Sequence, residues 1–362
     1  AAPKPAPRTP AIAISWGFYT GQLDSSYISR CRDDIDKALS INKDLYDASI
    51  ALGFYFYYCK NDLKNAIIYF REAANKKPDE YHPLFYLALV YRRMGEWEAS
   101  QKLIHKVIKY NPKEALFLTN IGLSYSFIHK FDSALIFHDQ AIECMPNWWP
   151  PYSNKFNTLI LKDGKPDQAR AVIDTAIIKT GEGMARYKIM ANIYSRNYLE
   201  ALHYAENSAD VDFESKGYRF LTIGLVNSYL NKNKSAFAWY DSAVVSLKNE
   251  LKKDPEDYVL YGALGLAYAG LKNKDQAISE ARKAIKLAGN NSMKESDMLV
   301  NLAQVYTMVG DYSSALKIIQ SLLENPSSFS VRLLELDPVW EPLQNSAEYT
   351  ALIKNTIKNE IF

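Results

Sequence analysis

Along most of this chain apolar residues recur three and four positions apart, in stretches broken by short polar turns. That is the period of helices with one buried face. The clearest stretch runs from Asp254 to Gly289, DPEDYVLYGALGLAYAGLKNKDQAISEARKAIKLAG. In it Tyr261, Leu264 and Tyr268 stack on one face of a first helix, and Ala277, Ala281 and Ala284 form a stripe on a second. Gly265 and Ala277 are small where two such helices must approach closely. Lys272-Asn273-Lys274-Asp275 between them is a polar turn without an apolar anchor. One hairpin of this kind cannot bury its apolar face alone, so it must stack on neighbours.

The unit recurs along the chain. A second copy carries Leu52-Gly53, Phe56, Ala66, Phe70 and Ala73, with a turn one residue longer than the others. Prolines 78, 112 and 146 fall 34 residues apart, just past second helices, where proline stops one helix before the next begins. The first copy is irregular: a helix over Ala11 to Gly21, an insert around Leu23-Asp24-Ser25-Ser26, then a helix over Tyr27 to Ile41. The sixth is compressed, with only Ser195-Arg196-Asn197 as its turn, and the second helix of the seventh overruns to Lys253. The tail predicts a short helix, a proline-bounded turn and a last helix from about Ser346, capped by Ser or Asn. Trp340, Leu343, Tyr349 and Leu352 are expected to cover the open face of the ninth copy. The expected layout is a Pro/Ala linker over 1–10, about nine hairpins over 11–326 with the first and sixth irregular, and a C-terminal cap over 327–362. The fold class is all-α.

The order Tyr261-x-x-Leu264-Gly265-x-x-Tyr268, then Ala277-x-x-x-Ala281 and Ala284, resembles the tetratricopeptide-repeat (TPR) signature with its period of about 34 residues. The resemblance implies a right-handed α-α superhelix that binds partners through the inner face of its first helices. Carried over repeat by repeat, that face holds Phe54, Tyr57 and Tyr58, then Phe85, Leu89, Arg92 and Arg93. It continues with Leu123 and Phe127, then Asn157, then Lys188 and Asn192. The charged clamp of chaperone-binding TPR proteins is begun by Lys188 and Asn192 but broken by Tyr218 and Thr222. From Gly217 to Lys354 the layout also resembles TPR modules at the C-terminal end of bacterial signalling proteins, behind kinase, cyclase or winged-helix domains. The matching closing residues are Leu336, Asp337, Pro338, Trp340, Pro342 and Leu343. No effector domain of those kinds is legible in the chain, and the resemblance implies an effector or anchor before Ala1.

Composition changes this picture little. Over 362 residues the formal charge is +2 with both signs interspersed, so no basic field advertises nucleic acid or an anionic membrane. No apolar run is long enough to span a bilayer. Cys31, Cys59 and Cys144 are odd in number and far apart, each on an apolar-periodic segment, which predicts buried free thiols. The Ala-Ala start fits a signal-peptide cleavage product and equally a break inside a linker, leaving the compartment open between cytoplasm and periplasm. No zinc-binding spacing occurs, and His138 falls in an aromatic packing slot of the fourth repeat. No cofactor, metal or catalytic residue is expected. The chain reads as a non-enzymatic scaffold for a protein or peptide, which is expected to bind in the groove of repeats two to five. There Glu96 neutralises at most one of Arg92 and Arg93, leaving one cation for an acidic partner. A rival reading is a ligand sensor for a small molecule or sugar, with Trp148 and Trp149 as its platform. A third is self-assembly through the long seventh-repeat helix.

Overall fold

A computed structural model describes residues 25–361, apart from 43, 111–112, 182, 210–211 and 214. The linker, the helix expected over Ala11 to Gly21 and Pro112 lie outside the described residues. Everything regular among the described residues is helical, and the chain divides into two compact units, 1–112 and 113–362.

The first unit contains α1 (Ser25–Ile41), α2 (Tyr46–Phe54), α3 (Leu63–Lys76), α4 (His82–Arg93) and α5 (Trp97–Ile108). The second begins with α6 (Ala115–Phe127), α7 (Phe131–Cys144), α8 (Pro150–Asp163), α9 (Pro166–Thr180), α10 (Ala185–Tyr194) and α11 (Tyr198–Asn207). It continues with α12 (Lys216–Tyr229), α13 (Asn233–Leu251), α14 (Tyr258–Gly270), α15 (Lys274–Ala288), α16 (Ser292–Met308) and α17 (Tyr312–Glu324). The tail adds α18 (Val331–Leu336), a 3-10 turn (Pro338–Leu343) and α19 (Ala347–Ile361). From α2 to α17 the helices pair as hairpins, and α1 is the second helix of the first repeat. The compressed sixth repeat is the pair of ten-residue helices α10 and α11, and the overrun is the 19-residue α13.

Each second helix buries the same register. Ala66, Phe70 and Ala73 are fully buried, as are Ala134, His138 and Ala141, then Ala277, Ala281 and Ala284. Where the middle slot holds a ring, the facing first helix has a glycine. A methyl group on Gly53, Gly122 or Gly224 would collide with the ring of Phe70, His138 or Tyr240. In the pair α14 and α15 the middle slot is Ala281, and a methyl group on Gly265 would lie 3.0 and 3.1 Å from Ala277 O and Ala281 N. The small residues therefore set how closely each pair packs.

Between the two helices of every pair one residue takes a left-handed conformation: Asn61, Gly95, His129, Gly164, Arg196, Asn231, Lys272 and Gly310. In all of these but the turn at Gly164 the next N–H reaches back across it to the first helix, as Asn273 N does to Tyr268 O (2.9 Å) and Asp311 N to Tyr306 O (2.8 Å). This satisfies a terminal carbonyl and turns the chain. In the second repeat the bond is one residue longer, from Asp62 N to Phe56 O, and α2 runs on into a π-helical turn over Tyr55–Cys59. The extra turn residue in the sequence is absorbed as that π-turn.

The thiols are all free, but only Cys31 is buried; Cys59 is half-buried and Cys144 exposed. Cys144 ends α7, where the apolar stripe has already run out to solvent. Burial pushes the Cys59 thiol up to about 11.

Candidate functional site: the inner face of the first helices

In the first unit the expected groove residues form one aromatic cluster. Phe54 stacks on Tyr58 at 5.7 Å and meets Tyr86 edge-on at 4.6 Å, while Tyr57 and Tyr58 are edge-to-face at 4.7 Å. Phe54, Tyr57, Phe85, Leu89 and Arg92 are buried; Tyr58 and Arg93 are half-buried. The Arg93 guanidinium lies 3.6 Å from the centre of the Tyr57 ring and donates to the Tyr57 carbonyl at 3.2 Å. Its charge is thus engaged with the aromatic cluster, an arrangement that sequence spacing could not show because the partner lies 36 residues away. Only Tyr58 and Arg93 of this set present surface that a partner could reach without repacking.

In the second unit Leu123, Phe127 and Asn157 come together on the wall of a cavity of about 630 Å³. Lys188 and Asn192 are not part of that wall. Lys188 pairs with Asp174 at 3.3 Å and lies over the Tyr204 ring, and the buried Asn192 side chain donates to the Lys188 carbonyl.

The tail closes this cavity along one edge. Ser327 N donates to Phe127 O at 2.8 Å, and Ser328 Oγ donates to Asp297 at 2.6 Å. Then α18 packs on α8, with Leu333 and Leu336 against the cluster of Tyr152, Phe156 and Ile160. Arg196, in the turn after α10, donates to Leu336 O at 2.6 Å and pairs with Glu341 at 2.9 Å. Beyond it the 3-10 turn settles on α16, with Trp340 and Leu343 fully buried and Trp340 edge-on to Phe329 at 5.6 Å. Tyr349 and Leu352 pack into the same core. So the tail covers the ninth repeat, and it also runs as a strap past the first-helix ends of the fourth, fifth and sixth.

Sequence reasoning missed Ser327, Leu333, Leu336 and Arg196 as groove residues. The one local signal was the leucine pair in a segment that leaves the repeat. Asp337 accepts from Val339 N at 3.1 Å and so caps the 3-10 turn. Burial pushes its carboxyl up to about 6, against the pull of that bond and of Arg196. Burial also holds His129, beside the strap at Ser327, below its ordinary value.

No group of His, Cys, Asp and Glu that could hold a metal ion occurs among the described residues. No described helix is long and apolar enough to cross a membrane. Trp148 is half-buried and Trp149 exposed on the turn between α7 and α8, away from the cavity wall.

Family models described as tetratricopeptide repeat match residues 258–291 and 84–114. The chain carries tetratricopeptide repeats. No curated protein sequence matches it. Among solved structures, human IFIT1 with m7Gppp-AAAA is 16% identical, with a TM-score of 0.50 over 78% of this chain and 72% of that one. The Cut9–Hcn1 hetero-tetramer of APC/C is 17% identical over 96% of this TPR chain, with a TM-score of 0.44. This chain spans 63% of the Cut9–Hcn1 chain it matches. A Pseudomonas aeruginosa pilF structure, 17% identical, covers 54% of this chain and 89% of its own with a TM-score of 0.47. At 16% identity the property shared with the IFIT1 structure is the fold. Repeats of this kind suggest a protein-interaction scaffold.

Proposed function

We propose that this TPR protein is a non-catalytic scaffold that holds an extended segment of a partner protein along the inner edge of its first helices. The observation that carries the reading is the tail. An irregular segment of this chain already lies across those helix ends, held by a main-chain bond to Phe127, two leucines in an apolar cluster and the Arg196 guanidinium. A surface that accepts one peptide by backbone bonds and side-chain pockets has the chemistry to accept another. In the first unit, Tyr58 and Arg93 supply a reachable ring and cation, the residue types that interface hot spots favour. The resemblance of the closing residues Leu336 to Leu343 to bacterial signalling modules supports a role as the interaction part of a signalling or envelope protein.

A photo-crosslinking amino acid at Tyr58 and at Asn157 tests the reading, with Ile68 and Ile136 on the outer face of second helices as controls. Each inner position, taken by itself, is expected to capture a partner through one mapped peptide while the outer positions stay silent. Equal capture from Ile68 and Ile136 would move the site to the outer surface.

A further inference from the structure

We propose that the cavity of the second unit is a binding site for a small amphiphile, an apolar body carrying a hydrogen-bond-donating, non-anionic head. This goes beyond peptide binding and does not depend on it. The cavity, about 630 Å³, is of the size that encloses small organic ligands. It lies inside one compact unit, between α8, α10 and α12 on one side and α14 and α16 on the other, with the strap residues Leu333, Asp337 and Val339 along its edge.

Its walls are mostly apolar and adaptable. Four of the chain's 7 methionines, Met190, Met293, Met298 and Met308, line it. Unbranched thioethers repack around ligands of varied shape, so such a concentration suits a flexible aliphatic or ring-bearing body. Water alone in this space would sit against Leu, Ile, Val and Met side chains, and an apolar ligand gains by displacing it.

The polar groups on the wall choose the head. Asn301 Oδ1 is buried there without a hydrogen-bond partner, an acceptor that calls for a donor. Asp337 and Asp297 add carboxyl groups to the same wall. The wall's cation, Arg186, faces the Tyr218 ring at 5.4 Å. An alcohol or amine head meets the Asn301 oxygen and two carboxyl groups here, whereas a carboxylate head would lie beside those carboxyl groups with Arg186, already over the Tyr218 ring, as the wall's one cation.

Methionine-methyl NMR of the full chain tests this, using decanol, decylamine and decanoate as the probes. Decanol and decylamine are expected to shift Met190, Met293, Met298 and Met308 with one-site saturation, leaving the exposed Met94 and Met145 unmoved. Decanoate should bind about ten-fold more weakly or worse. A Val300→Trp variant, which fills the cavity from α16, should lose affinity by about ten-fold or more while keeping its helical spectrum. The proposal is overturned by an absence of saturable shifts, by equal shifts at Met94 and Met145, or by decanoate binding as well as decanol. It also falls if a folded Val300→Trp protein binds as the parent does. Should Val300→Trp fail to fold, the methyl shifts of the parent chain still decide the matter.

Discussion

His138 shows how a repeat position overrides residue chemistry. It fills the slot that Phe70 and Tyr240 fill in other repeats, fully buried against Gly122, with neither ring nitrogen hydrogen-bonded. Burial, and then the nearby Lys155, lowers its pKa to about 3. The unfolded chain takes up this proton near the ordinary histidine value of about 6.5, the folded chain only near 3. Between those values the unfolded state binds more protons. The stability present above pH 6.5 is therefore lost as pH falls towards 3, by about 1.4 kcal/mol per pH unit. His129, also lowered by burial, acts with the same sign. His138→Phe, matching the second repeat, should raise unfolding free energy by about 2 kcal/mol more at pH 5 than at pH 8. Denaturant melts at the two pH values measure this; an equal gain at both would mean that the ring protonates freely in the fold.

At the scale of elements, the hairpins were legible because everything that makes them is local. Ala277, Ala281 and Ala284 declare a buried stripe within one helix, and prolines 78, 112 and 146 mark where three other second helices have ended. The left-handed turn residues were less legible, since only Gly95, Gly164 and Gly310 of the eight are glycine. Lys272 is exposed with φ of 62°, so Lys272→Gly should stabilise by roughly 0.5–1 kcal/mol, read as a raised melting temperature. A destabilised protein would show that its side chain makes contacts outweighing the backbone strain. The strap was not legible as a crossing element. Its bonds join residues 140 and 198 positions apart, and no periodicity reports on such separations. Asp337 offers a handle on it. Its folded pKa of about 6 lies above its ordinary value, so the folded state holds the proton longer, and stability falls as pH rises between about 4 and 6. Asp337→Asn keeps an acceptor for Val339 N and removes that loss. It should gain about 1 kcal/mol at pH 8, allowing for water screening at this half-buried site, and nothing at pH 4. A gain that is the same at both pH values would assign the effect to packing instead.

For the molecule as a whole, the candidate groove was legible as a list of inner positions but not as a surface. Phe85 and Arg92 satisfy the repeat register yet are buried, and Leu123 and Asn157 do so and line a space that the chain's own tail partly covers. Burial at a given register depends on what crosses the face, which the repeat pattern does not encode. The same crossing alters how the second unit should respond to damage. A repeat array contacts only its neighbours, so a lesion ordinarily weakens adjacent repeats and fades with distance. Here the strap ties the fourth to sixth repeats to the ninth through Ser327, Leu333, Leu336 and Arg196. Phe156→Ala, in the core beneath Leu333, removes a fully buried ring and should cost about 3–5 kcal/mol. Hydrogen exchange should then quicken in α8 and α9, and also in α18, the 3-10 turn and α16, ahead of the intervening α14 and α15. Adding Arg196→Ala, which unties the strap from α10 at a cost of about 1 kcal/mol, should shrink the response of α16 while leaving that of α9. Exchange that spreads evenly from α9 through α14 to α16, unchanged by Arg196→Ala, would show that the unit behaves as a plain linear stack with the strap as a passenger.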